Sequence, residues 1–66
     1  MEAIKVSVVV PVYNVDEFLD NTLSDITGQT LREIEIICVD DGSTDNSCKI
    51  IEEWMEKDSR IQLIRQ

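Results

Sequence analysis

The chain contains no histidine, and among its 66 residues only two are glycine, one is proline and three are aromatic. Without histidine there is neither a Ser-His-Asp triad nor a His-ligated metal site. Two glycines, at 28 and 42, cannot supply G-x-G-x-x-G or a P-loop, so a dinucleotide fold's pyrophosphate turn and a Walker-type phosphate cradle are both excluded. Basic residues are also scarce, with six Lys and Arg against fourteen Asp and Glu and a net charge of -8. That balance argues against a nucleic-acid backbone as partner, since phosphate contacts need clustered cations. Any anionic ligand would then need a metal or backbone N–H groups.

Cysteine is limited to Cys38, inside an apolar run, and Cys48, at a helical spacing. Neither has metal-ligand spacing or a secreted framework around it, which points to two reduced, buried thiols and a cytoplasmic compartment. The N-terminus lacks a basic segment followed by an apolar one, so it does not read as a signal peptide. The longest apolar stretch, Val6 to Val12 with Ser7 in it, is far below the ~20 residues that span a bilayer. Membrane association through regions outside these residues stays open. At 42% hydrophobic and 30% charged, the composition is that of a folded chain. A chain of this length buries only about 60% of its unfolded surface, so its own core is marginal.

What is present is organised around Val39-Asp40-Asp41-Gly42-Ser43-Thr44-Asp45, where an apolar run gives way to two adjacent carboxylates and a turn. The run before it, Ile34 to Val39, is short and β-branched and reads as a buried strand. An earlier run, Ile4 to Val10, has the Val and Ile content of a strand covered on both faces, and Pro11 marks its exit because proline cannot donate to a ladder. Asn14 then reads as an N-cap, with Glu17 three residues on in a capping-box position. Phe18, Leu19, Thr22, Leu23 and Ile26 recur at helical spacing up to Gly28, which is placed as a C′ glycine, and residues 29–33 return the chain to the second strand.

A second helix is expected to open near Ser43 or Thr44, with Cys48, Ile51, Trp54 and Met55 inward, Ile50 beside them, and Glu52, Glu53, Glu56 and Lys57 solvated. Ile61 to Arg65 is a third strand. The order β-α-β-α-β with right-handed crossovers is half of a doubly wound, Rossmann-like parallel sheet, in spatial order 3-2-1. The first strand would then be an open, apolar edge, which complete domains avoid. These residues are therefore expected to be the N-terminal portion of a larger α/β domain, with another strand pairing Val6 to Val10 on the outer side.

Ligands of such sheets bind at the C-terminal ends of the strands. There the layout places Pro11-Val12-Tyr13-Asn14 beside Asp40-Asp41-Gly42-Ser43. Tyr13 can stack on a flat heterocycle, and an ionised aspartate can accept from a ring N–H. Each also has a plainer reading: Tyr13 as a cap on the first helix, Asp40 as an Asx-turn acceptor for loop N–H groups, and Ser43, Thr44 and Asp45 as capping groups. Gly42 either lets a ligand approach the backbone or supplies a positive φ. A phosphoacceptor receiver fold would carry its acidic pair after the first strand instead.

Val6 to Asn14, then Phe18-Leu19, Gln29-Thr30 and Glu35 to Asp45, resemble the start of family 2 inverting glycosyltransferases with the GT-A fold. The resemblance covers nearly the whole chain, and the two main blocks at their mutual spacing are highly specific. It implies a nucleotide-sugar-binding half-domain, most commonly for a UDP-sugar, in enzymes that pass a sugar to a saccharide or lipid-linked acceptor hydroxyl with inversion, as in polysaccharide biosynthesis. By matching positions, Pro11, Tyr13 and Asp41 would line the uracil pocket, and Asp40 would support the loop or approach the ribose. Many members carry an acid directly after the Asn, and here that position is Val15.

The family's D-x-D motif for Mg²⁺ or Mn²⁺ and its catalytic base fall beyond Gln66. Asp40-Asp41 is not that motif, because adjacent residues at a strand's end point in opposite directions. These residues are thus expected to carry donor recognition but not the reaction, and to be inactive alone. The alternative is a non-catalytic nucleotide-binding module or a flavodoxin-like interaction module.

Overall fold

In the computed structural model, which describes residues 6–28 and 33–66, the chain forms β1 (Val6–Val12), α1 (Asp16–Thr27), β2 (Ile34–Asp40), α2 (Ser47–Lys57) and β3 (Ile61–Arg65). The three strands are parallel in the order β1-β2-β3, the arrangement expected. Register pairs Val6 with Ile34, Ile36 with Ile61 and Asp40 with Arg65, so all three strands end at one rim. Ile4 and Lys5, and Gln29 to Arg32 of the return, lie outside the described residues.

The period of two decides the core. Ile34, Ile36 and Cys38 of β2, Val12 of β1 and Ile61 of β3 share one face and are buried with Leu19 and Leu23 of α1 and Ile51 of α2. Burying a side chain of this kind contributes about 1.5–3 kcal/mol relative to exposure. Both helices pack on that face, as two successive right-handed crossovers in a 3-2-1 half-sheet require. The opposite face, with Val9 and Ile64 exposed, has nothing over it among the described residues. Coverage of β1 on both faces is therefore not found: its valines protect one side only.

Pro11 does not end the first strand. Val6 N–H donates to the Glu33 carbonyl and the Val12 carbonyl accepts from Asp41 N–H, so even-numbered residues of β1 turn their backbone groups towards β2. Odd-numbered residues then face the outer edge, where the N–H that Pro11 lacks is not needed. β1 has β2 as its one strand neighbour, so the expected outer partner is absent among the described residues. The three strands of the described residues leave none to provide it.

The helices start later than local signals suggest. Asn14 is not an N-cap: it lies at φ 51°, and α1 is capped at Val15 without a side-chain bond of its own. α2 begins at Ser47 behind Asn46, three to four residues past Ser43 and Thr44. Gly28 is the C-cap in right-handed geometry, φ −84°, and not a left-handed C′ residue. Phe18 is exposed, although its spacing matches Leu19 and Leu23. Trp54 is half-buried: its Nε1 donates to Asp20 Oδ1 at 2.9 Å across the helix pair, and Lys57 Nζ sits 5.2 Å from the ring centroid.

Candidate functional site

At the C-terminal rim, the loop of residues 13–15 after β1 and the loop of residues 41–46 after β2 stand side by side. Between them and the end of β3 lies an open cleft of about 480 Å³, lined by Pro11, Val12, Tyr13, Val15, Val39, Asp41 and Gln66. Three of the four residues singled out from sequence, Pro11, Tyr13 and Asp41, thus come together. Tyr13 is 61% exposed, so its ring is available to a ligand. Asp41 is also exposed.

Asp40 points the other way. It is 4% exposed, and its carboxylate accepts from Gly42 N–H at 3.3 Å and from Ser43 N–H at 3.2 Å. The Ser43 hydroxyl, with smaller contributions from Cys48 and the two amides, outweighs burial and holds this carboxyl below the usual carboxylate range. The alternation of a strand separates the two neighbours: Asp40 props the loop from beneath while Asp41 borders the cleft. Gly42 between them has φ +87°, and a Cβ there would meet no atom within 4 Å. The glycine is required by its backbone conformation and not by crowding.

The two cysteines differ in burial: Cys38 is buried as expected, whereas Cys48 is only half-buried. Burial first, then Asp40 beside it, pushes the Cys48 thiol up, and burial alone does so for Cys38. Both cysteines are free.

Sequence reasoning missed Gln66, Val12, Val15 and Val39 in the lining, and Ser47 at the buried junction of the helix N-termini. The pairing of Asp40 with Arg65 brings Gln66 to the rim, where its N–H donates to the Asp40 carbonyl at 2.9 Å. Register between β2 and β3 was the missing signal, and it is not local. Val15, where many relatives by resemblance would carry an acid, is half-buried and packs against the core.

Among the described residues no group of three or more His, Cys, Asp or Glu could hold a metal ion, and no helix is long and apolar enough to cross a membrane. With Asp40 committed to its loop, Asp41 is the one cleft-lining carboxylate, so the described residues do not form a divalent-metal site.

Three parallel strands with two helices on one face make the chain an α/β protein, and its fold matches that of a solved GT-A glycosyltransferase. The mannosyltransferase PcManGT from Pyrobaculum calidifontis, in complex with GDP-Man and Mn²⁺, superposes with a TM-score of 0.87 at 26% identity, over 100% of this chain and 20% of that one. The family model for glycosyl transferase family 2 matches residues 7–66, and the chain belongs to that family. Similar proteins include glycosyltransferase GlyG of Streptococcus pneumoniae, 48% identical over 92% of this chain and 20% of that protein. Glycosyltransferase GlyA of the same organism is 50% identical over 94% of this chain and 9% of its own length. The uncharacterized glycosyltransferase EpsJ of Bacillus subtilis is 44% identical, over 92% and 18%. The chain therefore spans about a fifth or less of the length of these relatives.

Proposed function

We propose that these residues are the N-terminal, donor-recognising portion of a larger glycosyltransferase domain, and that the cleft at the sheet rim receives the base of a nucleoside diphosphate sugar. The observation that carries this reading is the convergence of Tyr13 and Asp41 on one cleft from two different loops. The ring stacks on the base, and the carboxylate accepts from a ring N–H. The cleft volume falls in the range of about 300–1,000 Å³ usual for small-molecule sites.

The base's own chemistry narrows the donor. Uracil presents an N3–H and guanine an N1–H, whereas cytosine and adenine present a bare nitrogen at the corresponding edge. The Asp41 carboxylate can accept from the ring N–H of the first pair and finds no ring N–H on the second. The uridine donor is the reading that the sequence resemblance supports. The guanosine donor is the second, favoured by the GDP-mannose bound in PcManGT. Ligands for Mg²⁺ or Mn²⁺, the catalytic base and the saccharide or lipid-linked acceptor site belong, in this reading, to residues outside the chain. So does inversion at the anomeric carbon.

The test is a thermal-shift and turnover screen of the full-length protein with UDP-, GDP-, CDP- and ADP-sugars in the presence of Mg²⁺ or Mn²⁺. A donor at 100 times its Kd raises stability by about 2.7 kcal/mol, enough to move Tm clearly. Uridine or guanosine donors are expected to raise Tm and to support sugar transfer. A response confined to cytidine or adenosine donors, or no response to any, would overturn the assignment.

A further inference from the structure

We infer that Asn14 is a positioning residue for the cleft, locking the Tyr13 loop to the Asp41 loop so that the two ligand-facing groups are set before any ligand arrives. The inference rests on the nucleotide reading of the cleft and adds the device that holds its two sides together.

Tyr13 is clamped on both flanks. On one side the Val12 carbonyl accepts from Asp41 N–H at 2.9 Å. On the other, Asn14 N–H donates to Ser43 Oγ at 3.0 Å, and Asn14 Oδ1 accepts from Thr44 N–H at 2.9 Å. The single residue between these anchors carries the exposed ring. Its backbone cannot shift against Asp41 without breaking one of them.

The fastening continues into the helices in both directions. Val15 N–H donates to Ser47 Oγ at 3.1 Å and Asp16 N–H to Asp45 Oδ2 at 3.2 Å, while Asn46 N–H donates to Asp16 Oδ2 at 3.3 Å. Asp45 Oδ1 also accepts from Ser47 N–H at 2.9 Å. The start of α1 is thus capped wholly from across, by Ser47 and Asp45, while the start of α2 takes Asp16 from across and Asp45 from its own loop, and these bonds tie the two loops into one unit. The orphan amides of a helix N-terminus need partners, but nothing in that need requires the partner to come from about thirty residues away.

Asn14 is suited to this place by residue type. At φ 51° most side chains are strained, and asparagine is among the few that visit the left-handed region readily. Glycine would accept the same backbone but offer no acceptor to Thr44. Asparagine therefore satisfies the conformation and the cross-loop bond together. A ligand that needs ring and carboxylate at a fixed separation binds more tightly when that separation is already set.

Asn14→Gly separates the two contributions, because it keeps the backbone angle and deletes the clasp. Affinity for uridine diphosphate is measured by calorimetry on the full-length protein, for wild type, Asn14→Gly, Tyr13→Ala and the double variant. Asn14→Gly is expected to weaken binding about tenfold in the wild-type background and less than about twofold when Tyr13 is already alanine, since there is then no ring to position. Ser43→Ala, which removes the acceptor of Asn14 N–H, is the second variant and follows the same pattern with a smaller loss. Equal losses in both backgrounds, or no loss in wild type, would overturn the clasp as a positioning device. If Tyr13→Ala and Asp41→Ala leave affinity unchanged, the nucleotide reading fails and takes the clasp with it. If those two weaken binding and Asn14→Gly and Ser43→Ala do not, the clasp alone fails.

Discussion

Uridine diphosphate binding by the full-length protein is expected to weaken roughly 10- to 150-fold on Asp41→Ala. A hydrogen bond to a charged partner contributes about 1.5–3 kcal/mol, and each 1.4 kcal/mol is tenfold in affinity. Asp41 is the carboxylate that lines the cleft, and it is exposed, so its loss removes a ligand contact without opening the core. Asp41→Asn is expected to lose less, because the amide oxygen still accepts from the base. Isothermal calorimetry with uridine and cytidine diphosphates checks both statements. Wild type favours uridine, and the alanine variant narrows the difference. Equal affinities throughout would leave Asp41 a turn residue.

The neighbouring aspartate gives the opposite phenotype. Asp40→Ala leaves the Gly42 and Ser43 amides without their acceptor beneath the loop, so the expected loss is in Tm, by roughly 3–8 °C. Any loss of affinity follows from a loosened loop. The same carboxylate makes the loop sensitive to acid. Its folded pKa lies below the ordinary aspartate value of about 3.9, so the unfolded chain binds the proton more readily. The stabilisation it provides is complete above that value and is lost as pH falls through the lower, folded pKa. Asp45 behaves alike: burial opposes its charge, but the Ser47 hydroxyl and the Ser47 and Asp16 amides prevail and lower its pKa. Melting curves from neutral pH down past the carboxylate range should show Tm falling for wild type and falling less steeply for Asp40→Ala. A parallel decline in the two proteins would contradict the assignment.

The sequence left Asp40 open between supporting the loop and approaching a ribose, but that it and Asp41 face different surroundings was legible, and the reason is geometric. A strand alternates its side chains, so Asp40 and Asp41 had to face different surroundings, and the β-branched run from Ile34 fixed which strand delivered them. Strand β3 was legible from its alternation, and the parallel order from the β-α-β-α-β succession. Pro11 was harder. Its missing N–H is harmless on one side of β1 and disruptive on the other, and periodicity does not say which side faces a neighbour. The helix starts were misplaced for a related reason. Asn14 and Ser43 look like local caps, yet the amides they satisfy lie on the other loop. Capping rules read partners three residues away and cannot see partners thirty away.

The cleft followed the same division. Tyr13 and Asp41 announced themselves by chemical type at the end of a strand, whereas Gln66 enters the lining only through the register of β3 against β2. Ser47 carries no local signal of its place. It is fully buried because the two helix N-termini meet at its hydroxyl.

The central claim is that the base of a nucleoside diphosphate sits between the Tyr13 ring and the Asp41 carboxylate, and a crystal structure of the full-length protein soaked with uridine diphosphate tests it most directly. The expected density places the uracil against the ring, with its N3 about 2.7–3.2 Å from an Asp41 oxygen and the Asp40 carboxylate still turned to Gly42 and Ser43. A base bound elsewhere, or one that leaves Tyr13 and Asp41 untouched, would contradict the account.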